Sequence, residues 1–378
     1  MTGSGSKQNK KAGVLICGAY GMGNAGDEAI LKAIIREMRE IDPDMPVTVM
    51  TRDPEKAAER FGVRAIHTLN IFGFMRAARR AALYVNGGGS LVQDVTSRRS
   101  LWYYLYTIRA AGKRGCRVMM YGCGIGPVLY EGDIRLTRRV LNRYVDAVTL
   151  REPDSLEALR RFGVTAPEII LSSDPAITLC AAPAGDVDAV LSENGADPHG
   201  KYICFALRRW PGFNEKAAAF SAAARYAYLK YGLTPLFLSI NHHNDSDAAG
   251  KVIEGLGDTP YRALPGPLPP ELAIGVMAKM EIVVSMRLHG LIFAAGQGVP
   301  LVGVSYDPKV TAFLRCVESG CTELSEVTPE ILCTLIDDAA ALREDRRGLL
   351  EKAQRLRDME RHNIETAGKL LGKDVSLL

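Results

Sequence analysis

The sequence predicts an α/β protein built from two doubly wound parallel sheets. Three observations carry this. Short apolar runs alternate with amphipathic helical patterns along nearly the whole chain, as βαβ units do. Several of those runs end in glycine-rich or charged turns, where open parallel sheets place their ligand sites. The alternation loosens once, through Ala182-Pro183-Ala184-Gly185 and Asn194-Gly195-Ala196-Asp197-Pro198-His199-Gly200, and then restarts. At 378 residues the chain is also too long for one ordinary core. The expected organisation is a disordered tail at 1–12, a Rossmann-like domain at 13–180 and a linker at 181–200. A second Rossmann-like domain at 201–345 follows, then a C-terminal helix at 346–378 that packs back on the first domain. The two domains are expected to face each other across a cleft.

In chain order, Val14–Cys17 is a buried strand closed by Gly18-Ala19-Tyr20-Gly21-Met22-Gly23-Asn24-Ala25-Gly26-Asp27-Glu28, and a helical pattern runs from Ala29 to Ile41. Asp27 is placed to cap that helix. The loop fits a dinucleotide fingerprint only loosely. Amides at a helix start suit an anion or a sugar, and a plain tight turn is the alternative. Further strands are expected at Val47–Met50, Leu83–Val85, Val118–Tyr121, Ala147–Leu150 and Glu168–Leu171. In the second domain they are expected at Tyr202–Ala206, Pro235–Ile240, Ile282–Ser285 and Leu301–Val304. Helices are expected at Glu215–Tyr231, Pro270–Met277, His289–Gln297 and Pro308–Cys316, then over Glu330–Leu371 with a break near Arg343–Asp345.

Composition narrows the function classes. An apolar share of 47% with 24% charge is that of a soluble globular chain, and a net charge of +4 is no nucleic-acid signature. No run approaches the roughly 18 apolar residues needed to span a bilayer. The first residues lack the apolar core of a signal peptide. The eight cysteines have no CxxC spacing, which fits reduced thiols in a cytosolic protein.

Several strand ends can carry chemistry. Asn86-Gly87-Gly88-Gly89-Ser90-Leu91-Val92-Gln93-Asp94 puts three glycines directly after a strand, which makes sense if backbone approaches a ligand closely. Ser90, Gln93 and Asp94 then offer a hydroxyl, an amide and a carboxylate, Asp94 either as a cap or toward sugar hydroxyls. Tyr121-Gly122-Cys123-Gly124-Ile125-Gly126-Pro127 is a third glycine loop, with Cys123 read as a passive thiol. Trp102-Tyr103-Tyr104-Leu105-Tyr106 reads as the core face of a helix. Arg151 follows a strand and either pairs with Glu152 or Asp154 or offers its guanidinium to a carboxylate or phosphate. Leu207-Arg208-Arg209-Trp210 ends the second domain's first strand. His242-His243 near Asp245 tempts a metal reading, but no third ligand stands at useful spacing. Arg287, His289 and Lys309 lie at neighbouring strand ends, a cation cluster that is costly unless an anion neutralises it.

Five of these segments, in order, resemble the polysaccharide pyruvyltransferases: Gly23–Ala29, Asn86–Asp94, Tyr121–Pro127, Arg151–Ser155 and Ser285-Met286-Arg287-Leu288-His289-Gly290. Within that family the chain most resembles the bacterial CsaB type that acts on secondary cell-wall polymers. The resemblance implies a GT-B-like fold and a metal-independent, cofactor-free transfer of pyruvate from phosphoenolpyruvate. The product would be a 4,6-ketal on β-N-acetylmannosamine of a lipid-pyrophosphate-linked precursor, made in the cytoplasm at the inner face of the membrane. That polymer would anchor S-layer proteins. By position, the resemblance makes Arg151, Arg287, His289 and Lys309 catalytic and, with Gly290, donor-binding. Asn24, Asp27, Gly87, Gly88, Gly89, Ser90 and Asp94 would hold the acceptor sugar.

Two other readings stand beside it: a GT-B glycosyltransferase using a nucleotide sugar, and a non-catalytic sugar-phosphate binding module. Arg76-Ala77-Ala78-Arg79-Arg80 makes a basic helical patch, read either as a peripheral contact with anionic lipid or as a solvated helix face.

Overall fold

The computed structural model describes residues 11–344 and 346–375, and of residues 242–244 the backbone alone. Most of the expected tail, Asp345 at the expected helix break, and the His242-His243 side chains lie outside the described residues.

The elements follow one another as β and α units from end to end. They run β1 (Val14–Cys17), α1 (Ala25–Ile41), β2 (Val47–Thr51), α2 (Pro54–Phe61), β3 (Arg64–His67), α3 (Ile71–Arg80) and β4 (Leu83–Val92). Next come α4 (Arg98–Gly112), β5 (Arg117–Ile125), α5 (Glu131–Tyr144), β6 (Ala147–Leu150), α6 (Pro153–Phe162) and β7 (Glu168–Leu171). After α7 (Ala184–Glu193) follow β8 (Tyr202–Ala206), α8 (Phe213–Tyr231), β9 (Thr234–Leu238), α9 (His242–Glu254), β10 (Arg262–Leu264) and α10 (Pro270–Ala278). The chain closes with β11 (Ile282–Ser285), α11 (Leu288–Gly296), β12 (Leu301–Ser305), α12 (Pro308–Val317), β13 (Gly320–Glu323), α13 (Pro329–Ala341) and α14 (Arg347–Leu371).

Two compact units result. The first takes in the described residues up to Met22, Leu31–Asp174 and Arg361 onward; the second takes in Gly23–Ile30 and Pro175–Glu360. Each holds one all-parallel sheet: β3-β2-β1-β4-β5-β6-β7 in the first and β10-β9-β8-β11-β12-β13 in the second. Parallel strands covered on both faces need apolar residues throughout, and Val14–Cys17, Ile282–Ser285 and Leu301–Ser305 are buried at every position. The strand order reverses between β1 and β4 in the first sheet and between β8 and β11 in the second. Open sheets bind ligands beyond the carboxyl ends of the strands at such reversals.

The pattern of apolar runs misses β3, β10 and β13. All three are edge strands, short and half-exposed, so no apolar run marks them. It also ends β4 and β5 too early. The triple glycine is not a turn: Gly87 pairs with Tyr121 and Gly89 with Cys123, and the register shifts only between Gly89 and Val92.

Candidate active site

In the second unit, β8, β11 and β12 are adjacent, with Ala206 beside Ser285 and Ser285 beside Gly303. Neighbouring strands lie about 4.8 Å apart, so the turns after them form one edge.

The turn after β11 carries Arg287 and His289. Ser285 shapes it: its hydroxyl oxygen accepts from the Arg287 amide at 2.9 Å and lies against Gly290, where a Cβ would come within 2.6 Å of it. Gly290 therefore lets α11 start close against β8 and β11.

The Arg287 guanidinium is nearly buried and is held by Asp245. Its Nε donates to Oδ1 at 2.8 Å, and Nη2 donates to the same oxygen. The other Asp245 oxygen accepts from the amides of Ile240 (2.9 Å) and Asn241 (2.8 Å). Burial pushes the Asp245 carboxyl above its ordinary value, against the pull of Arg287. In sequence Asp245 reads as a loop residue beside a histidine pair, with a metal reading disfavoured; in the fold it is the group that fixes Arg287.

His289 sits on the first turn of α11, against Gly26. A Cβ on Gly26 would fall 2.0 Å from His289 Nδ1, so only glycine lets the ring lie there. The Gly26 segment is itself tied into the second unit. Asn24 bridges Asn241, and the Ala25 amide donates to the Ile240 carbonyl at 2.9 Å. Asn24 Oδ1 accepts from the Gly26 amide at 3.0 Å, and its Nδ2 donates to Asp27 at 2.6 Å. The sequence groups Asn24 and Asp27 with the first domain's glycine loops. Asn24 and the Ala25 amide make their contacts instead with the β9–α9 loop of the second unit, whose Ile240 and Asn241 offer backbone groups to this helix start. Asp27, inside the first turn of α1 rather than at its cap, accepts from Asn24.

Lys309 pairs with Asp307 at 3.0 Å, while Asp307 also caps α12 through the Lys309 amide. Arg287 and Lys309 thus each have a carboxylate of their own. Contrary to the expectation from sequence, this cluster does not demand an anionic ligand, because Asp245 and Asp307 already supply the anions.

A different cation meets that condition. Arg208, two residues past β8, packs against both rings of the Trp210–Tyr306 pair, 4.9 and 5.0 Å from their centroids. Its Nη1 donates to the Tyr306 hydroxyl at 2.6 Å, so the side chain crosses the end of β11. It makes no ion pair with a described carboxylate, and its buried Nε has no described partner. In sequence Arg208 marks only the end of a strand. Its place at the reversal point, beside an aromatic residue, was the available signal.

The first unit's edge is built differently. Arg151 is buried and fully engaged: Nε donates to Glu152 at 2.9 Å, Nη1 to Asp174 at 2.7 Å and Nη2 to Ser90 at 3.2 Å. Glu152 in turn accepts from Ser155 at 2.8 Å. Burial pushes the Glu152 carboxyl above its usual range. Gly124 makes room for this cluster, since a Cβ there would meet Glu152 at 2.5 Å and Ser90 at 2.8 Å. The ion-pair partners are therefore Glu152 and Asp174. Asp94 is buried and accepts from the Leu129 amide at 2.9 Å and the Tyr130 amide at 3.2 Å, at the start of α5. Gly88 and Gly89 adopt φ of 66° and 69°, and a Cβ on Gly87 would strike the Tyr20 hydroxyl at 2.5 Å. Beside them Asn86 is wholly buried, with no described partner for either side-chain amide atom. A buried amide of that kind calls for a ligand or an ordered water. Burial pushes the Cys123 thiol up to about 12, as suits a passive thiol.

Among the described residues no three side chains come together as metal ligands, and no helix is long and apolar enough to cross a membrane.

Solved structures with the same fold are numerous. The UDP-GlcNAc 2-epimerase of Neisseria meningitidis bound to UDP-GlcNAc is 12% identical, with a TM-score of 0.63 over 94% of this chain and 99% of that one. A Rickettsia africae glycosyltransferase is 12% identical, with a TM-score of 0.63 over 96% and 99%. Staphylococcus aureus MnaA with UDP is 11% identical, with a TM-score of 0.65 over 95% and 97%. At such identities the likeness establishes the fold, GT-B with two Rossmann-like domains. A search of curated proteins finds no match. The sequence model of the polysaccharide pyruvyl transferases matches residues 24–308. That span begins at Asn24, against the second unit's loops, and runs through the Arg151 cluster and the Arg287–His289 turn to the start of α12. The chain belongs to the polysaccharide pyruvyl transferase family.

Proposed function

We propose that the protein transfers the pyruvyl group of phosphoenolpyruvate to two hydroxyls of one sugar, forming a cyclic ketal and releasing phosphate. The observation that carries this reading is the second unit's strand edge. That edge carries His289 seated against Gly26, the Arg287 turn held by Asp245, and Arg208, which has no described carboxylate partner.

Phosphoenolpyruvate brings a carboxylate and a phosphate. Arg208 supplies the unpaired guanidinium, and Arg287 keeps Nη1 outside its contacts with Asp245. Lys309 adds a partly exposed ammonium. Asp245 is a positioning residue that acts through Arg287. The donor's methylene carbon takes a proton, which leaves positive charge at C2. A sugar hydroxyl attacks C2 as it gives up its proton. Phosphate then leaves with its electron pair, and the second hydroxyl closes the ketal, its proton ending on phosphate. His289 is the group suited to move these protons, since imidazole titrates near neutral pH. The cations stabilise the departing phosphate. No step calls for a metal or a cofactor.

Gly87–Gly89 and Ser90 are assigned to the acceptor through the end of β4 and Asp94 through the loop after it, with Asn24 and Asp27 assigned through the helix start beside His289. Arg151 holds Ser90 in place. The acceptor we favour is the β-N-acetylmannosamine of a lipid-pyrophosphate-linked cell-wall precursor, pyruvylated as a 4,6-ketal on the cytoplasmic side. This rests on the CsaB-like motifs. The polymer so marked would serve S-layer anchoring.

The test is incubation with phosphoenolpyruvate and a β-N-acetylmannosaminyl lipid-pyrophosphate analogue, read by mass spectrometry and phosphate release. The ketal mass gain is expected, and it is expected to vanish in His289→Ala. Consumption of a UDP-sugar in place of phosphoenolpyruvate overturns the reading in favour of glycosyl transfer; ligand binding without product overturns it in favour of a binding module.

A further inference from the structure

We infer that the outer face of α3 and α4 in the first unit is a docking surface for a bilayer rich in anionic lipid. The proposal goes beyond the transfer reaction and does not depend on it.

Both helices cover the same face of the first sheet, since Phe74 and Ala78 of α3 and Leu101, Leu105 and Ile108 of α4 enter one core. Tyr103 of α4 donates to the Thr68 carbonyl at 3.0 Å, joining α4 to the approach to α3. The faces turned away from that core are unusual. At the start of α3, Phe72 is 90% exposed, Leu69 64% and Ile71 51%. An apolar tip of this size on a monomer marks an interaction site. Along α4, Trp102 and Tyr106 are exposed one turn apart. The sequence pattern places the 102–106 aromatics in the core; Tyr104 is there, while Trp102 and Tyr106 face out.

The charges that α3 and α4 themselves carry are all of one sign, with Glu131 at the start of α5 an exposed acid at the border. Arg76, Arg79 and Arg80 are exposed along α3, and Arg99, Arg109 and Lys113 flank the α4 aromatics. Neither helix contains a single acidic residue. The acid nearest Trp102, Asp133, is buried and engaged by Arg98 and by the Trp102 indole N–H. A protruding apolar tip, amphipathic aromatics and arginines match the layers of an anionic membrane surface: acyl boundary, interface and headgroups. Each arginine near such a surface adds to the attraction.

The full chain is mixed with vesicles of phosphatidylcholine alone or with phosphatidylglycerol, and bound protein is separated by flotation. Salt-sensitive binding to the mixed vesicles is expected, with a blue shift of Trp102 emission in a Trp210→Phe background. Phe72→Ser is expected to weaken binding about tenfold. The triple change Arg76→Glu, Arg79→Glu, Arg80→Glu is expected to weaken it by roughly a hundredfold or more. All of these side chains are exposed, so melting temperatures should not move. The proposal fails if wild type ignores the mixed vesicles, or if both variants bind as wild type does. It also fails if wild type is a dimer that Phe72→Ser dissolves, because a second copy then covers the patch.

Discussion

Two arginines at two strand edges look alike in sequence and differ in their surroundings. Arg151, in the first unit, uses all three guanidinium nitrogens on Glu152, Asp174 and Ser90 within a buried cluster. Arg208, in the second, packs on Trp210 and Tyr306 and has no described carboxylate partner. A guanidinium already satisfied by the chain holds structure together. One that is oriented but uncompensated is poised for a ligand anion. On the proposal above, the contrast assigns Arg151 to stability and Arg208 to donor binding, and each side of it can be broken.

The largest expected effect falls on the first edge. Arg151→Met strands Glu152 and Asp174 without a counter-charge, which costs about 3–5 kcal/mol for a buried pair losing one partner. Urea unfolding measures it. A loss under about 1 kcal/mol, the range of an exposed pair, would mean the cluster is not structurally important.

Next comes Gly26→Ala. The added Cβ meets the His289 ring at 2.0 Å, so the ring must move. A displacement near 1 Å at a reacting group lowers turnover about a hundredfold, with about 1–3 kcal/mol of overpacking cost. Turnover equal to wild type would detach His289 from the chemistry.

The smallest effect is one of pH. Burial raises the Glu152 carboxyl above its ordinary 4.5, so the folded state holds that proton more tightly than the unfolded chain. The contribution is full below the unfolded value and is lost as pH rises through the folded one. The stability of the protein relative to Glu152→Gln should therefore increase on acidification toward pH 4.5. A pH-independent difference would place the carboxyl in solvent.

Much of this was legible in the sequence. The alternation of apolar runs and helices fixes two parallel sheets, because strands buried on both faces must be apolar along their length. The Arg287–His289 turn stands out because a strand buried on both faces seldom ends in two basic side chains unless a site is built there. Edge strands such as Arg262–Leu264 escaped because nothing buries them enough to leave a pattern. The partners escaped for another reason. Asp245 and Arg287 are 42 residues apart, and local spacing carries no trace of their contact. Gly26 reads in sequence as part of a glycine-rich helix start suited to an anion or a sugar, or of a plain tight turn, and only the fold sets against it a histidine from far along the chain.

The most direct test is the affinity for phosphoenolpyruvate, measured by titration calorimetry in Arg208→Ala and compared with wild type. Loss of one charged hydrogen-bonding group, worth about 1.5–3 kcal/mol, should weaken binding by about ten- to a hundredfold while the melting temperature stays close to that of wild type. Unchanged affinity in Arg208→Ala would contradict the placement of the donor on the second unit's strand edge.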